Sequence, residues 1–350
     1  MTEYAGYSKV SPQWLELVSE FPELDNLDRI GIVERRQLFE KIEASIPPRK
    51  LPDDVKDELI TVRTFTITAR DGYDIPVRSY VPNSTGESRP VLVYLHAGGF
   101  LFGDLESGDM NCRILATRLN ISILNVGYRL APKWQFPHGV NDSYDATEWV
   151  AANAEKHLKA SPAKGFIVGG ISSGANFAGV IAYMARDSGL SPPITGLWLS
   201  IPVCIMPDAY EHLQSELRDQ LLSLEQNNDN PLLTRKSLND IQGLYKCPPD
   251  DPRISFLLNT DHSNLPKRAY FQICGRDPLR DEAFLWQKLL QKHSGTKSKI
   301  HLYSGMPHGF WRFLQMKASK EWPDDMVEGI RFLVTPEEQE EESVIEVKAL

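Results

Sequence analysis

The stretch Lys164–Gly189, KGFIVGGISSGANFAGVIAYMARDSG, decides the fold. Lys164 to Gly170 reads as a short buried strand, and Ala175 to Gly189 reads as an amphipathic helix stopped by its glycine. Between them lies GISSG, a G-x-S-x-G string. A strand that turns sharply into a helix forces strained backbone angles on the central residue and admits only small neighbours, which Gly170 and Gly174 supply around Ser172. Ser172 is the candidate nucleophile, and Ser173 is placed to donate its backbone N–H to an oxyanion. Two plainer readings compete. A serine at this point also suits a simple helix cap. A dinucleotide-binding loop shares the strand–glycine–helix plan, but Gly169, Gly170 and Gly174 do not fall as G-x-G-x-x-G, and the following apolar run, Thr195 to Pro202, has no acidic residue for a ribose.

Upstream, the apolar run Pro90 to Leu95 suits a central strand and is followed by HAGGF, His96 to Phe100. Adjacent glycines after a strand bring bare N–H groups close to a ligand, so Gly98 and Gly99 are candidate oxyanion donors. His96 reads as a structural histidine that positions the loop. Downstream, Arg268 to Arg276 reads as a strand with Asp277 at its carboxyl end, where catalytic groups of open α/β sheets collect. Ser298 to Gly305 reads as the last strand, and His308 follows it in a loop. An imidazole titrating near neutrality can take a serine proton, and a carboxylate can fix its tautomer, so Asp277 and His308 complete a serine–acid–base set. Asp281, one helical turn further on, competes with Asp277 as the acid.

Taken together, HAGGF, YRLAP (Tyr128 to Pro132) with Phe136-Pro137, GISSGANFA, DPLRDEAF (Asp277 to Phe284) and PHGF (Pro307 to Phe310) resemble the hormone-sensitive-lipase-like group of α/β-hydrolases, the bacterial family IV esterases. The resemblance runs from about Arg63 to Val334, with a texture closer to fungal carboxylesterases of secondary metabolism. It implies an α/β-hydrolase fold: a mostly parallel eight-stranded sheet flanked by helices and covered by a helical cap. It also implies Ser172, Asp277 and His308 as catalytic residues and Gly98, Gly99 and Ser173 as the oxyanion hole. Two positions depart from the group. Ala97 stands for the first glycine of the usual triplet, and Ile171 for the polar residue usually preceding the nucleophile.

The implied organisation is an N-terminal cap segment 1–59, a core of 60–203 and 263–336, a cap insertion 204–262, and an acidic tail 337–350. Within the insertion, helical patterns run over Tyr210 to Glu225 and Thr234 to Tyr245, and Leu213, Leu217, Leu221, Leu222 and Leu224 are expected to face the cap's own interior and the acyl pocket. At 350 residues and 41% hydrophobic the chain can bury a large core, and its net charge of -9 argues against nucleic acid. No apolar run approaches the length of a membrane span, so stable membrane insertion is not expected. Cys112, Cys204, Cys247 and Cys274 lack metal or C-x-x-C spacing and read as buried free thiols of a cytoplasmic protein. The expected partner is a small-molecule ester, with no cofactor and no metal, and a homodimer is left open. The expected chemistry is two-step acyl transfer to water. An acyltransferase, cyclase or lyase using the same triad, and a non-catalytic small-molecule receptor, are the alternatives.

Overall fold

The computed structural model describes residues 3–45, 50–84, 88–335 and 343–348. Its centre is one sheet of strands β1 (Ile60–Thr68), β2 (Asp74–Pro82), β3 (Val91–Leu95), β4 (Ser122–Val126), β5 (Phe166–Ile171), β6 (Gly196–Ser200), β7 (Arg268–Cys274), β8 (Lys297–Tyr303) and β9 (Val344–Lys348). They lie in the order β1-β2-β4-β3-β5-β6-β7-β8-β9. β1, β2 and β4 pair antiparallel, and every pair from β4 across to β9 is parallel.

The helices follow as α1 (Pro12–Glu20), α2 (Ile32–Ser45), α3 (Asp109–Leu119), α4 (His138–Leu158), α5 (Ser173–Ser188), α6 (Ser215–Arg218), α7 (Ser223–Gln226), α8 (Arg235–Tyr245), α9 (Arg280–Ser294) and α10 (Lys317–Val334). Parallel strands are buried on both faces, which is why β3 reads as an unbroken apolar run. Val91, Val93 and Leu95 face a core shared with Val150 of α4, Phe177 of α5 and Trp286 of α9. Leu92 and Tyr94 face the opposite core, with Leu115 of α3, Trp322 and Ile330 of α10, and Trp14, Leu17 and Phe39 of the N-terminal segment.

Three expectations need correction. The sheet has nine strands, not eight. The ninth comes from the stretch read as a solvated tail: β9 pairs with β8 from Lys299↔Val344 to Tyr303↔Lys348, while the acidic run 337–342 lies outside the described residues. The helix expected over Tyr210 to Glu225 is instead a 3₁₀ turn, Pro207–His212, and the short helices α6 and α7. Its physical cause is Asp281, whose carboxylate accepts the N–H groups of Leu222 at 3.0 Å and Ser223 at 2.9 Å and so starts a new helix in mid-pattern. α8 forms where its pattern places it, opened by a capping box between Thr234 and Ser237. Leu213, Leu221 and Leu224 are buried in the sheet-facing core, whereas Leu222 is partly exposed.

Candidate active site

β5 ends at Ile171 and α5 begins at Ser173, so Ser172 takes the whole turn alone, at φ 53°. Its N–H donates to Ser200 O at 2.8 Å and its carbonyl accepts from Asn176 at 2.9 Å, which holds the residue in the left-handed region that L side chains avoid. Gly170 and Gly174 both back onto the carbonyl of Leu95, and a Cβ on either would collide with it. The smallness read from GISSG is therefore required by the neighbouring strand β3. Ile171 turns into the apolar core beside Trp198, which accounts for a non-polar residue at that position.

Loops at the carboxyl ends of β7 and β8 supply the other two groups. His308 Nε2 lies 3.0 Å from Ser172 Oγ, and His308 Nδ1 lies 2.7 Å from Asp277 Oδ2. A carboxylate only accepts, so the imidazole proton sits on Nδ1 and the Nε2 lone pair faces the serine hydroxyl. Asp277 is buried, and its second oxygen accepts the Leu279 N–H at 3.0 Å. Asp281 is equally buried but faces elsewhere, towards α7 and towards Arg280 Nε at 2.8 Å. The geometry thus brings Ser172, His308 and Asp277 together and leaves Asp281 out.

The candidate oxyanion loop folds back on itself: Gly98 O accepts from Leu101 at 3.1 Å and Phe102 at 3.0 Å. Gly98 sits at φ 142°, where a Cβ would strike the Phe102 carbonyl, and Gly99 sits at φ 60°. Among the described residues, the N–H groups of Gly98, Gly99 and Ser173 reach no protein acceptor. They remain available to a developing negative charge. His96 is fully buried, stacks on Tyr128 with centroids 4.1 Å apart, and bonds through Nδ1 to Ala97 O at 2.9 Å. Burial pushes its pKa down to about 4, so it stays neutral and structural. The YRLAP segment braces this loop, with Tyr128 Oη donating to His96 O at 2.7 Å and Ala131 N–H to Phe100 O at 3.0 Å.

Sequence reasoning missed what holds these loops. Asn227, at the end of α7, donates to Asp277 O at 2.9 Å, and Asn230 donates to Arg276 O. Glu282 accepts from Cys204 N–H at 2.8 Å and Tyr210 Oη at 2.6 Å, tying α9 to the start of the insertion, and burial raises its carboxyl to about pKa 8. The N-terminal segment threads between the acid and base loops: Gly305 N–H donates to Tyr7 O at 2.8 Å, Ser11 N–H to Gly305 O at 3.2 Å, and Arg280 Nη1 to Ser8 Oγ at 2.6 Å. α8 covers the oxyanion loop, with Tyr245 stacked on Phe100 at 4.6 Å and Ile241 beside Gly99. Only the DE of DPLRDE signalled any of this, as two acids in the first turn of a buried helix.

Residues 92–312 match the α/β-hydrolase fold family. The chain is 33% identical to an AB hydrolase superfamily protein of Schizosaccharomyces pombe, covering 96% of this chain and 97% of that one. It is 28% identical to versiconal hemiacetal acetate esterase of Dothistroma septosporum, over 77% of this chain and 81% of that one. Among solved structures, vibralactone cyclase superposes with a TM-score of 0.79 at 29% identity, covering 94% of this chain and 96% of that one. An esterase of Pyrobaculum calidifontis superposes with a TM-score of 0.70 at 32% identity, covering 88% and 94%. The chain belongs to the α/β-hydrolase fold family, in its hormone-sensitive-lipase-like branch, as an esterase-like hydrolase.

Proposed function

We propose that the protein is a serine carboxylesterase acting on small or medium acyl esters, with Ser172 as nucleophile, His308 as base and Asp277 as the acid that orients it. The observation that carries this reading is the unbroken relay Ser172 Oγ, His308 Nε2 and Nδ1, Asp277 Oδ2, with contacts of 3.0 and 2.7 Å. His308 takes the hydroxyl proton as Ser172 attacks the ester carbonyl, and the oxyanion settles against the N–H groups of Gly98, Gly99 and Ser173. His308 then returns the proton to the leaving alcohol, and water repeats the sequence to release the acid. No cofactor takes part in these steps.

Residues 1–59 and 204–262 form the cap of this enzyme. That is supported by α2 packing on α8 and by both reaching the oxyanion loop, Arg36 over the Phe102 ring at 5.6 Å and Ile241 beside Gly99. Four buried, unpaired cysteines support a reducing, cytoplasmic setting. The esters of fungal natural-product pathways are the proposed substrates, supported by the versiconal acetate esterase relative. A fluorophosphonate probe and a short p-nitrophenyl ester test the assignment: Ser172→Ala should lose both labelling and turnover while remaining folded, and labelling that survives in that variant overturns it.

A second reading is favoured by the vibralactone cyclase superposition. In it the acyl-enzyme passes to an internal hydroxyl of the substrate instead of water, since water access alone separates the two outcomes. Product analysis with a hydroxy ester distinguishes a lactone from a free acid.

A further inference from the structure

The side chains between α10 and strands β7 to β9 form a polar cluster remote from the triad. Register sets His301 of β8 against Glu346 of β9, and Glu328 reaches down from α10. His301 is fully buried, yet its Nε2 makes no hydrogen bond.

The protons in this cluster can be counted. Tyr270 Oη has one proton and donates it to Asp325 O at 2.9 Å, so its second contact, 2.9 Å from His301 Nδ1, is one in which the imidazole donates. In the neutral ring the proton is then on Nδ1, and the Nε2 lone pair is bare. A ring nitrogen held this way by a partner on the opposite nitrogen is the arrangement by which proteins orient metal-ligating histidines.

What the bare nitrogen faces is equally specific. Glu346 uses Oε1 for Lys348 Nζ, at 2.5 Å, and turns Oε2 to within 3.4 Å of His301 Nε2. Glu328 likewise uses Oε1 for Lys299 and turns Oε2 to within 3.7 Å of the same nitrogen. A lone pair and two carboxylate oxygens would repel one another with nothing between them. Ligand atoms about 2.0–2.1 Å from a tetrahedral metal stand about 3.3–3.4 Å apart. The His301–Glu346 separation is of that size, the His301–Glu328 one is a little longer, and the ligand atoms of all three residues lie within 4.8 Å of one another.

We propose that His301, Glu328 and Glu346 bind a divalent cation of the Zn²⁺ or Mn²⁺ class, with water completing the shell, and that the ion clamps β9 to the sheet. A neutral imidazole with two carboxylates suits these ions, and binding displaces no proton from the ligands as they stand. Three elements successive in the chain, β8, α10 and β9, become cross-linked through one ion. The site is structural and independent of the triad.

The test uses the full chain stripped with EDTA and titrated with Zn²⁺ alone. Calorimetry should give one bound equivalent, Tm should rise, and hydrogen exchange over Val344–Lys348 should slow. His301→Gln and Glu346→Gln should each weaken binding at least about tenfold, the scale on which even supporting groups matter. Glu346 is half-exposed on an edge strand, so Glu346→Gln keeps a folded protein even if His301→Gln does not. Absence of stoichiometric Zn²⁺ binding by the wild type, or undiminished binding by Glu346→Gln, overturns the site.

Discussion

Ser172 and His308 lie 136 residues apart in the chain and 3.0 Å apart in space. In the proposed relay His308 contacts both Ser172 and Asp277, and the two aspartates of DPLRD separate the roles. Asp277→Asn should lower kcat by about four orders of magnitude, since the amide favours the wrong imidazole tautomer. Asp281→Asn should cost far less, because its carboxylate serves Leu222 and Ser223 and not His308. Steady-state rates on a short p-nitrophenyl ester check the ranking, and the reverse order removes Asp277 from its role. Gly98→Ala places a methyl group against the Phe102 carbonyl and must shift the loop. A loss of about 10²–10³ in kcat with little change in KM is expected, the scale of one oxyanion donor. At this scale the grouping of Ser172, Asp277 and His308 was legible, because a sharp strand-to-helix turn, a glycine pair and a strand-end aspartate each need particular residue types locally. Asn227 was illegible for the opposite reason. An asparagine that supports a carbonyl 50 residues away leaves no local pattern.

Elements were legible where their own residues decide them. α5 ends at Gly189, at φ 67°, as its glycine predicts, and α8 starts at its Thr234 cap. Reading failed where a distant group decides. Asp281 broke the expected 210–225 helix, and β9 needed β8 as a template, so a short apolar alternation beside an acidic run looked like tail. Glu282 is the other distant group, and it makes the junction between α9 and the insertion sensitive to pH. Its folded pKa of about 8 lies above the usual carboxylate value, so the folded state holds a proton that the unfolded state releases. Stability from this site is therefore full below about pH 4.5, declines as pH rises towards 8, and is flat beyond. Glu282→Gln removes that slope. Thermal melts from pH 5 to 9 should show the variant gaining on the wild type as pH rises, and parallel curves would disprove the linkage. His96 works in the opposite sense. Its folded pKa of about 4 means that stability present above pH 6.5 is lost as pH falls through 4.

Across the whole molecule, the N-terminal segment, proposed as part of a cap, also bonds the loops beside the triad. Tyr4 stacks on Phe284 at 3.7 Å, Tyr7 and Ser11 bond the Gly305 backbone, and Gly275 packs so tightly on Tyr7 O that a Cβ would not fit. Trp14 and Phe39 meet Phe313, just beyond the base loop. Removing residues 1–11 should lower kcat at least tenfold with the sheet still folded, because the loops bearing Asp277 and His308 lose the segment lying between them. An unchanged kcat in a soluble truncation would show that the segment is only a cover. The same threading has a consequence for how the protein is made. The Arg280–Ser8 contact spans 272 residues, so Tyr7 and its neighbours leave the ribosome well before the loops they bind. At about 5–20 residues per second, the N-terminal segment waits for many seconds without its docking groove. The nascent chain therefore carries Trp14 and Phe39 without their Phe313 partner while the intervening sheet is being made, and the loops bearing Asp277 and His308 gain this brace only after β8 has emerged.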